Sequence, residues 1–212
     1  MHEKLSLYLN QAMSAISTDK KKLERLLAAR KVYEKLTGKI DEDGDDYEVR
    51  ILSFNEWFLI DYISEKNPVP FIIEFLNTLN DSVGEIKAWL SDVHYSFFEC
   101  RKKRYGSNLI LEDFLRGEKY EVLPESFPAD ILSSEIFVGR MIKIEKKVFF
   151  FKGIRWLPKE VKSLVRKRIK RIRELGSPFE ENRFIFSLEM AVTKCAQFKH
   201  VNAVKIFSSY IT

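Results

Sequence analysis

The constraint on any fold for this chain is a change of hydrophobic period at Tyr95. Before it, apolar residues recur every three to four positions, as in Leu5, Leu9, Ala12, Met13 and Ile16, the spacing that lines one face of a helix. After it come YSFFECRKKRYG, NLILEDFLRGEKYEVLP, EIFVGRMIKIE and KVFFFKGIRWLP. These are strand-sized runs punctuated by Gly and Pro. From Pro158 the helical period returns. The succession predicts an α+β chain with N-terminal helices over 1–94, a small central antiparallel β-sheet or partly open barrel over 95–157, and a C-terminal helical pair over 158–212. Four or five strands are expected, and the three parts are expected to form one globular unit.

Local signals place the elements. Thr18 or Asp19 caps a second helix that Gly38 stops, and the acidic loop DEDGDDYE (41–48) follows. Ser53 and Glu56 have the spacing of a capping box ahead of WFLIDYI, in which Trp57, Phe58 and Ile60 to Ile63 should anchor the core. Pro68 and Pro70 end that helix, Pro70 opens PFIIEFLNTL, and Asp81 or Ser82 caps VGEIKAWLSDV. Turns are expected at Gly106 and over Glu145–Lys147. Phe149, Phe150 and Phe151 alternate in facing, so both sides of their strand must be covered. The last helix should run from about Phe179 to Ser208. It is apolar on more than one side, which requires deep burial or a homodimer through this helix.

The net charge of +5 is unevenly placed. Residues 159–175 hold eight basic and two acidic side chains, a local +6, so the rest of the chain carries −1. In that segment Val161, Leu164, Val165, Ile169, Ile172 and Leu175 form one apolar stripe of about 140°. Lys162, Arg166, Lys167, Lys170, Arg171 and Arg173 occupy the opposite arc and are the candidate binding residues. Like charges four apart on a helix repel by a few tenths of a kcal/mol per pair, so an acidic compensator is expected. It could be an acidic protein partner, a nucleic acid, or the chain's own DEDGDDYE loop. Arg168 falls inside the apolar stripe and needs a partner of its own.

Other chemistries find little support. Asp41, Asp43 and Asp45 begin a calcium-like pattern, but Asp46 stands where the loop glycine belongs and Leu52 where the bidentate Glu belongs. His2, His94, His200, Cys100 and Cys195 are scattered, and Cys195 and His200 lie about 140° apart around a helix, so no metal is expected. Nucleophile-elbow, P-loop and dinucleotide signatures are missing. Carboxylates such as Glu56 or Asp61 could serve as a general base, though no spacing singles one out, and no cofactor is implied. Two cysteines are too few for a disulfide framework and read as free thiols in the cytoplasm. No apolar run is long enough to span a bilayer, and no secretory leader is visible.

FNEWFLIDY, SVGEIKAWL, YSFFEC, LILEDFLRGEKYEVLPE and IFVGRMIKIEKKVFFFKG, spread over residues 54–153, resemble bacterial proteins of the SEC-C-associated type, whose activity is unassigned. The Cys/His tail that binds zinc in that family has no counterpart here. The resemblance implies a helical-plus-β cytosolic protein and carries over no metal role. The expected function is non-enzymatic: a cytoplasmic adaptor or regulatory interaction protein presenting helix 159–175 to an acidic protein. A nucleic-acid-associated protein using the same helix is the alternative, and an enzyme of unknown reaction the third reading.

Overall fold

The computed structural model describes residues 2–79, 83–103 and 108–211. Five helices come first: α1 (Glu3–Ser17), α2 (Lys20–Thr37), α3 (Tyr47–Ile60), α4 (Phe71–Asn77) and α5 (Gly84–Ser91). Asp19 caps α2, its carboxylate accepting from the Lys21 and Lys22 backbone N–H groups at 2.8 and 3.2 Å, and Gly38 at φ 91° ends it. Asp81, Ser82 and the expected Gly106 turn lie outside the described residues.

One expectation fails at α3. The helix begins at Tyr47, not at Ser53, so Ser53 and Glu56 stand in its interior and are buried. Both side chains are taken by tertiary partners instead of the helix's own N–H groups: Ser53 by Tyr33 and Glu56 by the Gly153 N–H. Trp57 and Phe58 are core residues as expected, but Ile63 lies past the helix end and is exposed.

Among the described residues six antiparallel strands follow: β1 (His94–Lys103), β2 (Leu109–Asp113), β3 (Glu118–Val122), β4 (Ile136–Ile144), β5 (Lys147–Phe150) and β6 (Arg155–Leu157). Their order is β3-β2-β1-β4-β5, with β6 pairing the first half of β4 on the edge whose second half pairs β5. The sheet curls until β3 lies beside β5, nearly closing a barrel. Glu145 and Lys146, both at positive φ, make the tight turn between β4 and β5 that the strands' twist favours.

Side-chain alternation decides what each face meets. In register, Phe98 lies opposite Phe137 and Cys100 opposite Leu111. These point inward with Met141, Val148 and Phe150 to fill the barrel, which Phe127 and Ile131 plug from the β3–β4 connection. The alternate positions point outward. Phe97, Ile136 and Val138 meet the C-terminal helices, while Ile142, Ile144 and Phe151 meet α1 to α5. Phe150 and Phe151 are thus both buried, on opposite sides of the sheet.

The C-terminal region holds three helices where two were expected: α6 (Lys162–Leu175), α7 (Pro178–Gln197) and α8 (Ala203–Tyr210). The long last helix is interrupted at Phe198, and Asn202 caps α8 by accepting from the Val204 N–H at 2.9 Å. This break lets α8 fold back on α7, burying Phe207 along with Phe184, Ile185, Leu188 and Ala191. Most of the helix's second apolar side is therefore covered within the chain.

Just after β5 the backbone runs against α3. A Cβ on Gly153 would sit 2.5 Å from the Cα of Ser53 and 2.6 Å from Oε2 of Glu56. The first neighbour is backbone and cannot swing aside, so Gly153→Ala is expected to cost about 2 kcal/mol or more by forcing α3 off the sheet. Denaturant unfolding measures this, and a loss below about 0.5 kcal/mol would show that the contact is soft.

Candidate functional site

Helix α6 follows its sequence pattern except at its end, where Leu175 of the expected apolar stripe is exposed. Val165, Ile169 and Ile172 are buried, Gly176 closes the helix in the left-handed conformation at φ 60°, and the basic arc faces away from the core. Beneath that arc lies Glu99, which the alternation along β1 turns to the outer face of the sheet, opposite Ile136. It is 2% exposed. Its carboxylate accepts from Lys162 Nζ at 2.7 Å, from Arg166 Nη2 at 2.7 Å and from Arg101 Nη1 at 3.0 Å. Arg101 also pairs with Glu112 on β2, which holds the Arg101 guanidinium above and the Glu112 carboxyl below their ordinary pKa ranges.

Glu99 splits the six predicted residues into two groups. Lys162 and Arg166 belong to an inner row that shares the one Glu99 carboxylate from below. Lys167, Lys170, Arg171 and Arg173 are exposed, and none has a carboxylate partner among the described residues. The acidic 41–48 loop is not the compensator. Glu42 lies 3.6 Å from Arg30, Asp45 3.0 Å from Lys199, and Asp46 2.8 Å from the buried Arg155. Arg168, whose position in the apolar stripe called for a partner, is half-buried, and its Nε has no hydrogen bond.

Two clefts flank the basic row. On one side Arg101, Arg166, Lys170 and Arg173 surround Phe114 in an open cleft of about 630 Å³ with Glu174 at its rim. Arg166 and Arg101 lie over the Phe114 ring at 4.6 and 5.3 Å from its centroid. On the other side Lys167, Arg168 and Arg171 share a cleft of about 290 Å³ with Leu164 and Ile211.

A second polar cluster, with little warning in the sequence, is sealed between the helices and the sheet. Glu189 of α7 is fully buried. Its carboxylate accepts from the Tyr33 hydroxyl at 2.7 Å and from the Tyr95 hydroxyl, and Ser53 Oγ stands 3.0 Å from Tyr33. Burial, and then the Glu189 charge, push both phenols well above their ordinary range, so both remain donors. Arg140 stacks on Tyr95 at 4.1 Å, reaches Asp61 at 2.7 Å and lies 3.9 Å from Glu56. Arg50 donates to the carbonyls of Thr37 and Gly38 and to Thr193, which Arg155 also approaches. Since α2, α3, α7, β1 and β4 all contribute, the cluster works as a clamp that fixes how the helices sit on the sheet.

Near β1, His94 lies 3.4 Å from Asp113, which accepts from the Ser96 hydroxyl and from the Leu115 and Arg116 N–H groups. Asp113 stands between the other two, the place a catalytic triad gives the histidine; the carboxylate here shapes the turn after β2. Among the described residues no group of three or more His, Cys, Asp or Glu side chains is arranged to hold a metal, and no helix is long and apolar enough to cross a membrane. Comparisons with protein-family models, with curated proteins and with solved structures return no match, so the reading of the site rests on its geometry.

Within the clamp Glu56 has a measurable signature. Burial raises its pKa from 4.5 to about 7, against the pull of Arg140 and the Gly153 and Lys152 N–H groups and with help from Asp61. An acid held above its unfolded value keeps its proton more tightly when folded. Its contribution is complete below about pH 4.5 and is lost as pH rises through about 7. Glu56→Gln preserves an acceptor for Gly153 and removes the titration. The difference in melting temperature between wild type and variant should shift in the variant's favour from pH 5 to pH 8. A constant difference across that range would show that Glu56 titrates normally.

Proposed function

We propose that this chain is a non-enzymatic adaptor or regulatory binding protein of the cytoplasm whose α6 face docks an acidic segment of a partner protein. The observation that supports this reading is the row of four cations unpaired among the described residues, Lys167, Lys170, Arg171 and Arg173, on a helix whose inner basic residues already share Glu99. Cations held this close on a rigid helix repel one another. Carboxylates from a partner would relieve that repulsion and add long-range attraction.

The neighbours of the row favour protein over nucleic acid. Leu175 and Phe179, at the turn between α6 and α7, are 64% and 71% exposed, and Leu164 and Ile211 line the cleft beside Lys167 and Arg171. A phosphate backbone offers such residues nothing to pack against. An amphipathic acidic segment covers them while its carboxylates meet the cations. A chain with only two cysteines fits a reducing compartment.

The test compares wild type with a variant carrying Gln at positions 167, 170, 171 and 173. All four side chains are exposed, so the fold should survive, which circular dichroism checks. Fluorescence anisotropy at about 150 mM salt would use a pool of peptides alternating Glu with apolar residues, and a 20-base-pair duplex. Wild type should bind the peptides more tightly than the duplex, and the variant should lose about tenfold or more. Tighter binding of the duplex, with a salt slope that falls by about three to four units in the variant, would overturn the reading in favour of nucleic acid.

A further inference from the structure

We infer that the cleft around Phe114 recognises a phosphate monoester, carried as a phosphorylated serine or threonine on the acidic partner; this rests on the α6 reading above. The cleft, which takes Lys170 and Arg173 from the exposed row, differs in kind from the side of α6 that carries Lys167 and Arg171. Two of its guanidinium groups are positioned before any ligand arrives. Arg166 is held by Glu99 and by the Phe114 ring, and Arg101 by Glu99, Glu112 and the same ring. Fixing a long side chain in advance lowers the entropic cost of binding. It also leaves donors in place: Glu99 takes Nη2 of Arg166 and Nη1 of Arg101, and among the described residues the other Nη of each guanidinium has no partner.

Arg173 completes the wall from the other end. Its Nη2 and Nη1 lie 2.8 and 3.1 Å from where a Cβ of Gly117 would stand. Gly117, at φ 74° in the β2–β3 turn, therefore leaves the space that the guanidinium occupies. No carboxylate among the described residues pairs with Arg173, and Lys170 lies between it and Arg166 on the cleft side of α6.

Charge and donor count point to the same ligand. Lys162, Arg166, Arg101, Lys170 and Arg173 against Glu99, Glu112 and Glu174 leave the region with two uncompensated positive charges. A phosphorylated side chain brings about −1.5 to −2 and three acceptor oxygens, whereas a carboxylate brings −1 and two. Arginine forks are matched to phosphate oxygens in pairs. A free nucleotide or single-stranded nucleic acid would need an aromatic face for its base, and two guanidinium groups already lie over the Phe114 ring.

The experiment uses two peptide pools in which Asp or Glu alternates with mixed apolar residues around a central phosphoserine or Glu. They are titrated by fluorescence anisotropy against wild type, a cleft variant (Lys170→Gln with Arg173→Gln) and a row variant (Lys167→Gln with Arg171→Gln). Wild type should prefer the phosphoserine pool by about tenfold or more, and O-phosphoserine should compete that preference away. The cleft variant should bind both pools equally. The row variant should weaken both while keeping the preference. Equal binding of the two pools by wild type would overturn the phosphate inference and leave the α6 reading standing. A preference that survives in the cleft variant would also overturn it, because the phosphate would then be read elsewhere. Failure of wild type to bind either pool would overturn both, as would tighter binding of a phosphorylated oligonucleotide.

Discussion

The structure depends on alternation along β1 and β4, two paired strands covered on both faces. The inward residues, Phe98, Cys100, Phe137 and Met141, make the barrel interior. The outward residues of β1 are Tyr95, Phe97 and Glu99, and their partners on β4 are Arg140, Val138 and Ile136. A slip of one residue would exchange the two sets and put Glu99 and Arg140 inside the barrel, where nothing could neutralise them. The polar contacts of β1 and β4 with the helices follow from this register: Tyr95 and Arg140 reach the Glu189 clamp, and Glu99 reaches α6. Strand parity thus decides both how the helical layers are anchored and how much of the basic face is left for a partner.

The charges buried at those anchors are costly to desolvate and add little net stability as pairs, but removing one partner strands the other. Their arrangement here serves specificity of packing. Glu189 is satisfied only when α2, α3 and β1 bring Tyr33, Ser53 and Tyr95 to it together. Arg50 binds two carbonyls at the end of α2 and Thr193 on α7, which sets the spacing of those helices. Greasy contacts alone would let the helices slide; these bonds select one position.

What could be read from the sequence had local causes. The apolar stripe of α6, the Gly38 and Gly176 stops, the Asp19 cap and the opposed facing of Phe150 and Phe151 follow from residues within a few positions of each other. So does the change of period that separates helices from sheet. The misreadings share the opposite cause. Ser53 and Glu56 have capping-box spacing, but their partners come from α2 and from the turn after β5, far along the chain. The acidic loop was a reasonable compensator for α6 by charge alone, yet the fold brings a single carboxylate 63 residues from Lys162 to that place. No local pattern marks Glu99 in YSFFEC as the centre of three ion pairs. The break at Phe198 in the last helix carries no Pro or Gly; the Asn202 cap was its one local sign.

Glu99 divides the basic face of α6 into a paired row and a free row, and the proposed binding function depends on that division. A pair of double-mutant cycles measures that division directly, by denaturant unfolding of Glu99→Gln combined with Arg166→Gln or with Lys170→Gln. The Arg166 pair is partly solvent-exposed on its cationic side, so its coupling should be about 1 kcal/mol rather than the value of a fully buried pair. The Lys170 coupling should fall within about 0.3 kcal/mol of zero. Equal couplings for the two would contradict the division and return the whole helix face to a single, uniformly solvated row of charge.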